Sequence, residues 1–252
     1  MIILLSPAKS LDFKRTIQSN IVSKPEFMQD ANILAAELQK YSTTQLKELM
    51  GISNSLASLN AERFANWHNK IKNIENKQTI RAFIGEAYRG LKAEEMNEDD
   101  LLYAQDHLRI LSGLYGVLRP LDAIQPYRLE MGTKIEIGEF KNLYRFWDNK
   151  ITDSINNALG KSKTVINLAS NEYFKSINSK KIKANIITPE FREYKNGVIK
   201  MITVYAKNAR GQMANFIIKN RIEDPEQIKT FDINGYQFDV NSSNENKWSF
   251  VR

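Results

Sequence analysis

The sequence has no cysteine and only two histidines among its 252 residues. Without thiols there is no disulfide, no thiol nucleophile, no iron–sulfur ligation and no cysteine-based zinc site. His68 and His107 stand far apart and in no metal-ligand spacing, so surface or capping roles are the plainer reading and no metal is expected. No apolar run nears the ~18 residues that span a bilayer. Met1-Ile2-Ile3-Leu4-Leu5 has no basic leader and is cut short by Ser6-Pro7-Ala8-Lys9, which reads as a strand rather than a signal peptide. There is no Pro/Gly/Ser-rich linker, no repeat and no low-complexity run. The expectation is one domain over residues 1–252, a cytoplasmic protein with no membrane partner. Walker, Rossmann, G-x-S-x-G, zincin and Ser/His/Asp patterns are also missing, so no cofactor and no catalytic residue is assigned by motif.

What is present is positive charge, +7 in all. Lys and Arg against Asp and Glu give about +3 for residues 41–90, −4 for 91–100 and +5 for 151–200, with the excess near Lys70–Arg89 and Lys161–Lys183. A solvated lysine face and a polyanion partner both account for it. Helical spacing joins Ala31, Leu34, Ala35, Leu38 and Tyr41, behind Pro25 at a first helical position. Ser42-Thr43-Thr44-Gln45 reads as a capping box, and Asn97-Glu98-Asp99-Asp100 as a helix start whose carboxylates suit the dipole. Later come an apolar strand at Thr164–Leu168 and strands at Ile186–Glu193 and Val198–Tyr205 around Lys195-Asn196-Gly197. A helix through Ala209, Met213, Phe216 and Ile217 follows, then a short one from Asp224, and a closing hairpin of Tyr236–Val240 with Lys247–Val251. Helices early and hairpins late predict an α/β (α+β) fold. Its sheet should be mixed and largely antiparallel, flanked by helices, rather than doubly wound.

Residues 42–68 have the outline of a helix–hairpin–helix. Gly51 permits a turn with positive φ, Ile52 anchors it, and amides at Ser53 and Asn54 could meet a backbone phosphate, reinforced by Lys47 and Arg63. Ser53 stands where that motif usually has a second glycine. An ordinary pair of packed helices has the same outline. Ser6-Pro7-Ala8-Lys9-Ser10 follows the first strand, a common ligand position in α/β proteins and equally a polar turn. Leu108–Thr133 holds Arg119, Arg128 and Glu130 among many Gly and Pro residues. The Arg128–Glu130 pair is either structural or a clamp beside an acid/base. Lys207 and Arg210 lie on the first turns of a helix, where cations oppose the dipole unless an anion joins them.

Several blocks carry a resemblance: Leu5–Asp12 (LSPAKSLD), Leu111–Asp122 (LSGLYGVLRPLD), Gln125–Gly132 (QPYRLEMG), Asn167–Phe174 (NLASNEYF) and Ala206–Gly211 (AKNARG). In this order they resemble the YaaA family along the whole chain. The resemblance implies a response to hydrogen peroxide, limitation of iron-dependent damage, and duplex DNA binding through a basic cleft and a helix–hairpin–helix. Asn171 departs from it, since an acid is frequent there. The expected partner is duplex DNA, bound by a monomer without regard to sequence. The expected contacts are Lys47, Gly51, Ile52, Ser53, Asn54, Arg63, Ser6, Lys9, Arg128, Lys207 and Arg210. The alternative is an enzyme on a nucleotide or nucleobase-like substrate, a small anionic ligand held in the cleft by Lys9, Arg128, Lys207 and Arg210 with Glu130 as acid/base.

Overall fold

The computed structural model describes residues 1–14, 21–69, 77–195 and 197–252. Strand β1 (Ile2–Leu5) is an apolar run whose four residues are all buried, as a strand covered on both faces must be. After β2 (Ser10–Leu11), α1 (Met28–Leu38) buries Ala31, Leu34, Ala35 and Leu38. It starts later than Pro25 predicts, because the buried Pro25 and a turn at residues 26–27 precede the helix. Helices α2 (Thr43–Met50) and α3 (Asn54–Ala65) follow one another and pack together. Next come β3 (Lys77–Gln78), α4 (Thr79–Ala82), β4 (Phe83–Ile84), α5 (Glu86–Leu91) and α6 (Glu98–His107). Asn97 and Asp100 form a reciprocal cap on α6, as the acidic run suggests.

The middle of the chain adds β5 (Leu108–Ser112), β6 (Gly116–Leu118), β7 (Ala123–Ile124), α7 (Leu143–Trp147) and α8 (Lys150–Leu159). It continues with β8 (Thr164–Leu168), the short α9 (Asn171–Phe174), β9 (Asn185–Lys195) and β10 (Val198–Lys200). The chain closes with α10 (Thr203–Lys219), β11 (Gln237–Asp239) and β12 (Lys247–Val251). Both expected hairpins form, β9–β10 and β11–β12, although Asn196 lies outside the described residues. The strand expected to run to Tyr205 stops at Lys200. All three β10 residues are exposed, whereas the apolar period of Ala206, Ala209, Met213 and Ile217 draws the chain into a helix from Thr203.

The main sheet has the order β11-β12-β9-β8-β1-β5-β6, with β10 on β9. It is mixed and flanked by helices, as expected. Its antiparallel pairs lie at the margins, at β11–β12, β9–β10 and β5–β6. The centre is parallel, from β12 through β9, β8 and β1 to β5. Those pairings were hidden in the sequence because about a hundred residues separate β1 from β5, whereas a hairpin announces itself within a few.

One contact sets the direction of α10. A Cβ on Gly211 would lie 1.7 Å from the Ala87 carbonyl oxygen, and one on Gly90 would lie 2.1 Å from that of Asn208. Only glycine lets α5 and α10 cross backbone to backbone. Asn208 then donates to the Glu86 carbonyl at 3.2 Å, which holds the first turns of α10 beside the start of α5.

Candidate functional site

Three parallel strands end together: β1 at Leu5, β5 at Ser112 and β8 at Leu168. From β1 the chain builds outward to β5 on one side and to β8 and β9 on the other, so the strand order reverses at β1. The crevice beyond the carboxyl ends at such a reversal is where open α/β sheets place ligands. Ser6 lies in it. Its hydroxyl accepts the Ser170 amide at 2.8 Å and donates to the Ser170 hydroxyl at 3.3 Å, and the Tyr88 hydroxyl donates to its carbonyl at 3.1 Å.

Lys9, three residues on, reaches Glu130 Oε2 at 2.6 Å, and Arg128 Nη2 reaches Glu130 Oε1 at 2.9 Å. Glu130 is thus clamped by two cations. Lys9 remains mostly in solvent while Arg128 is largely covered. Arg128 Nε is buried and has no hydrogen-bond partner, an expensive condition for a charged donor. Arg63, arriving on α3, lies close enough that burial first, and the charge of Arg128 second, hold its guanidinium below the ordinary arginine value. Two guanidiniums therefore share a neighbourhood with one carboxylate. Burial raises the phenols of Tyr88, Tyr127 and Tyr173, so all three stay protonated. The void among Pro7, Lys9, Arg128, Glu130 and Tyr173 is about 10 Å³, room for one water or one small group.

The α2–α3 turn is built as its residues suggest. Ser42 and Gln45 cap α2 reciprocally, and Gly51 is left-handed at φ +60°. Ile52 is buried, and Ser53 caps α3 by accepting the Leu56 amide at 3.3 Å. The exposed amides differ from expectation. Those of Gly51 and Ile52 turn back to the carbonyls of Glu48 and Lys47, closing α2. Those of Ser53, Asn54 and Ser55 have no acceptor among the described residues. Lys47 is exposed on the preceding turn. Arg63 stands about 15 Å along α3 from this turn, at 1.5 Å per residue, and its company is Arg128 rather than the turn.

The other cations are dispersed. Lys207 is exposed on α10, whereas Arg210 is half-buried and faces Glu190 of β9. Among the described residues no hydrogen bond or ion pair joins either to the group around Glu130. Arg119 is structural, bonded to the buried Asp122 at 3.1 Å. Lys161, Lys163 and Lys183 precede β8 and β9, at the end of the sheet opposite Ser6. Part of the other basic segment, Lys70 and Lys72, lies outside the described residues. Sequence reasoning attached no role to Ser170, Tyr88 or Tyr173. Ser170 resembles Ser6, a serine just beyond a buried strand with only Ala169 between, and that could have marked it.

The sequence profile of the family described as peroxide stress protein YaaA matches residues 1–242. The chain belongs to this family. A YaaA-family relationship also accounts for its similarity to a UPF0246 protein of Janthinobacterium sp. (strain Marseille), 48% identical over 254 residues, covering 100% of this chain and 98% of the relative. As a YaaA-family member the chain is a peroxide stress protein. Among the described residues no helix is long and apolar enough to cross a membrane.

Proposed function

We propose that this YaaA-family protein serves in peroxide stress by binding duplex DNA without regard to sequence, limiting damage by iron and peroxide to the DNA it covers. The observation that carries this reading is the guanidinium pair Arg63 and Arg128. The two are close enough to repel, and Arg128 has a buried Nε with no acceptor among the described residues. A phosphate oxygen answers both conditions. The void beside Arg128 takes such a group and leaves no room to enclose a nucleotide, which speaks against an enzyme with Glu130 as its acid/base. The three unpartnered amides at the start of α3 supply a second phosphate contact, about 15 Å away along that helix, the scale of one duplex groove. Lys9, Lys47 and Lys207 are exposed and add charge without reading bases.

Titrating unrelated duplexes across salt tests the reading. Affinity should fall steeply with salt and differ little between sequences. Arg128→Ala should weaken binding about tenfold and reduce the salt slope by about one, as loss of one phosphate contact requires. Affinity indifferent to salt, or confined to one sequence, would remove DNA as the partner.

A further inference from the structure

A separate cleft of about 390 Å³ opens between the β2–β4 ribbon and helices α4 and α5. Its volume is that of small-molecule sites, and its composition mixes an apolar wall with a few polar groups. Phe83 and Tyr88 form the wall, their ring centroids 5.3 Å apart, and Ile84 stands half out of it at 47% exposure. Among the described residues three cations and two carboxylates line it. Two of the cations already face acids: Lys77 lies 3.9 Å from the Asp12 carboxylate, and Arg89 lies 2.7 Å from Glu86. Arg81 is different. It makes no ion pair among the described residues, and its Nε is buried without an acceptor. It also borders a smaller cavity of about 150 Å³ whose lining includes Glu98, yet Glu98 does not pair with it. Among the described residues, no carboxylate pairs with this guanidinium at the wall of the cleft.

We propose that this cleft binds a small organic anion with a flat apolar body, its carboxylate or phosphate on Arg81 and its body against Phe83 and Tyr88. The carboxylates of Asp12 and Glu94 and the Ser10 hydroxyl accept from hydroxyl or amino groups at the far end of such a molecule. The cleft is distinct from the guanidinium pair above, but Tyr88, which lines the cleft, also holds the Ser6 carbonyl through its hydroxyl.

Calorimetric titration of the intact chain with 4-hydroxybenzoate, adenosine monophosphate and inorganic phosphate tests this. At least one organic anion should bind at least tenfold more tightly than inorganic phosphate, and which one binds identifies a carboxylate or a phosphate head. Arg81→Met should weaken that binding at least tenfold, and Ile84→Trp, which fills the cleft from an exposed position, should do the same. Duplex DNA binding should stay within twofold in both variants. If Arg81→Met does not fold, Ile84→Trp decides. Neither organic anion binding at millimolar concentration, phosphate alone binding equally well, or variants that retain parental affinity would each overturn the proposal.

Discussion

Glu130 has one carboxylate oxygen on Lys9 and the other on Arg128, yet the pair it forms is only partly buried. Such pairs add little stability, on the order of 1 kcal/mol or less. Their effect on the local field is larger, because Glu130 cancels one of three clustered cations. Glu130→Gln should therefore tighten duplex binding several-fold at low salt while shifting the melting temperature by no more than about 4 °C. Filter binding and thermal melts measure the two separately. An acid/base role predicts no such gain. The clamp is where residue-level reading of the sequence fell partly short. Lys9, Arg128 and Glu130 were expected in one cleft and do meet, but Lys207 and Arg210 do not join them, and Arg63 reads as part of the turn because it is near it in number.

At the scale of elements, two glycines do opposite work. Gly51 has open space around its Cα and a left-handed φ, so Gly51→Val meets backbone strain of about 1–2 kcal/mol without a clash. The turn shifts, the amides of Ser53 to Ser55 move with it, and DNA binding should weaken while circular dichroism stays native. Ser53→Gly removes a cap at a cost of a few tenths of a kcal/mol and should leave binding nearly unchanged. Gly211 has no positive φ. It is required by proximity, since a methyl there would overlap the Ala87 carbonyl. Gly211→Ala should destabilise the fold by about 3 kcal/mol, read in a urea melt, because α5 and α10 must separate. Only α10 was legible from periodicity, through Ala209, Met213, Phe216 and Ile217; α5 was not expected. Nor was their crossing, since nothing local distinguishes a glycine that packs from one that turns.

For the whole molecule, Asp100 joins α6 to the end of α10 and the turn after it, with Lys219 Nζ at 2.5 Å and Arg221 Nη2 at 2.9 Å. Burial opposes its ionisation, and hydrogen bonds from Lys219, Arg221 and the Asn97 amide overcome that, so its carboxyl titrates below the ordinary value of 3.8. A depressed folded-state value means that the stabilisation is complete above the unfolded value near 4 and is lost as pH falls through the folded one. Melting temperature should drop steeply below about pH 4. Asp100→Asn should flatten that limb while lowering stability at pH 7 by about 3 kcal/mol. A limb unchanged in the variant would assign acid sensitivity to other carboxylates.

The amino-acid sequence by itself determined the local elements: the buried strands β1 and β8, the caps at Ser42 and Asn97, the left-handed turn at Gly51 and both late hairpins. Each rests on hydrogen bonds or periodicities that close within a few residues, so the information sits where the element does. Tertiary structure alone decided the parallel centre of the sheet, the pairing of Ser6 with Ser170 across 164 positions, and which cations share a site. The charge runs could not reveal that Lys161–Lys183 begins at the far end of the sheet from Ser6. Register between distant strands is chosen by the joint burial of many side chains, and no single segment carries that sum.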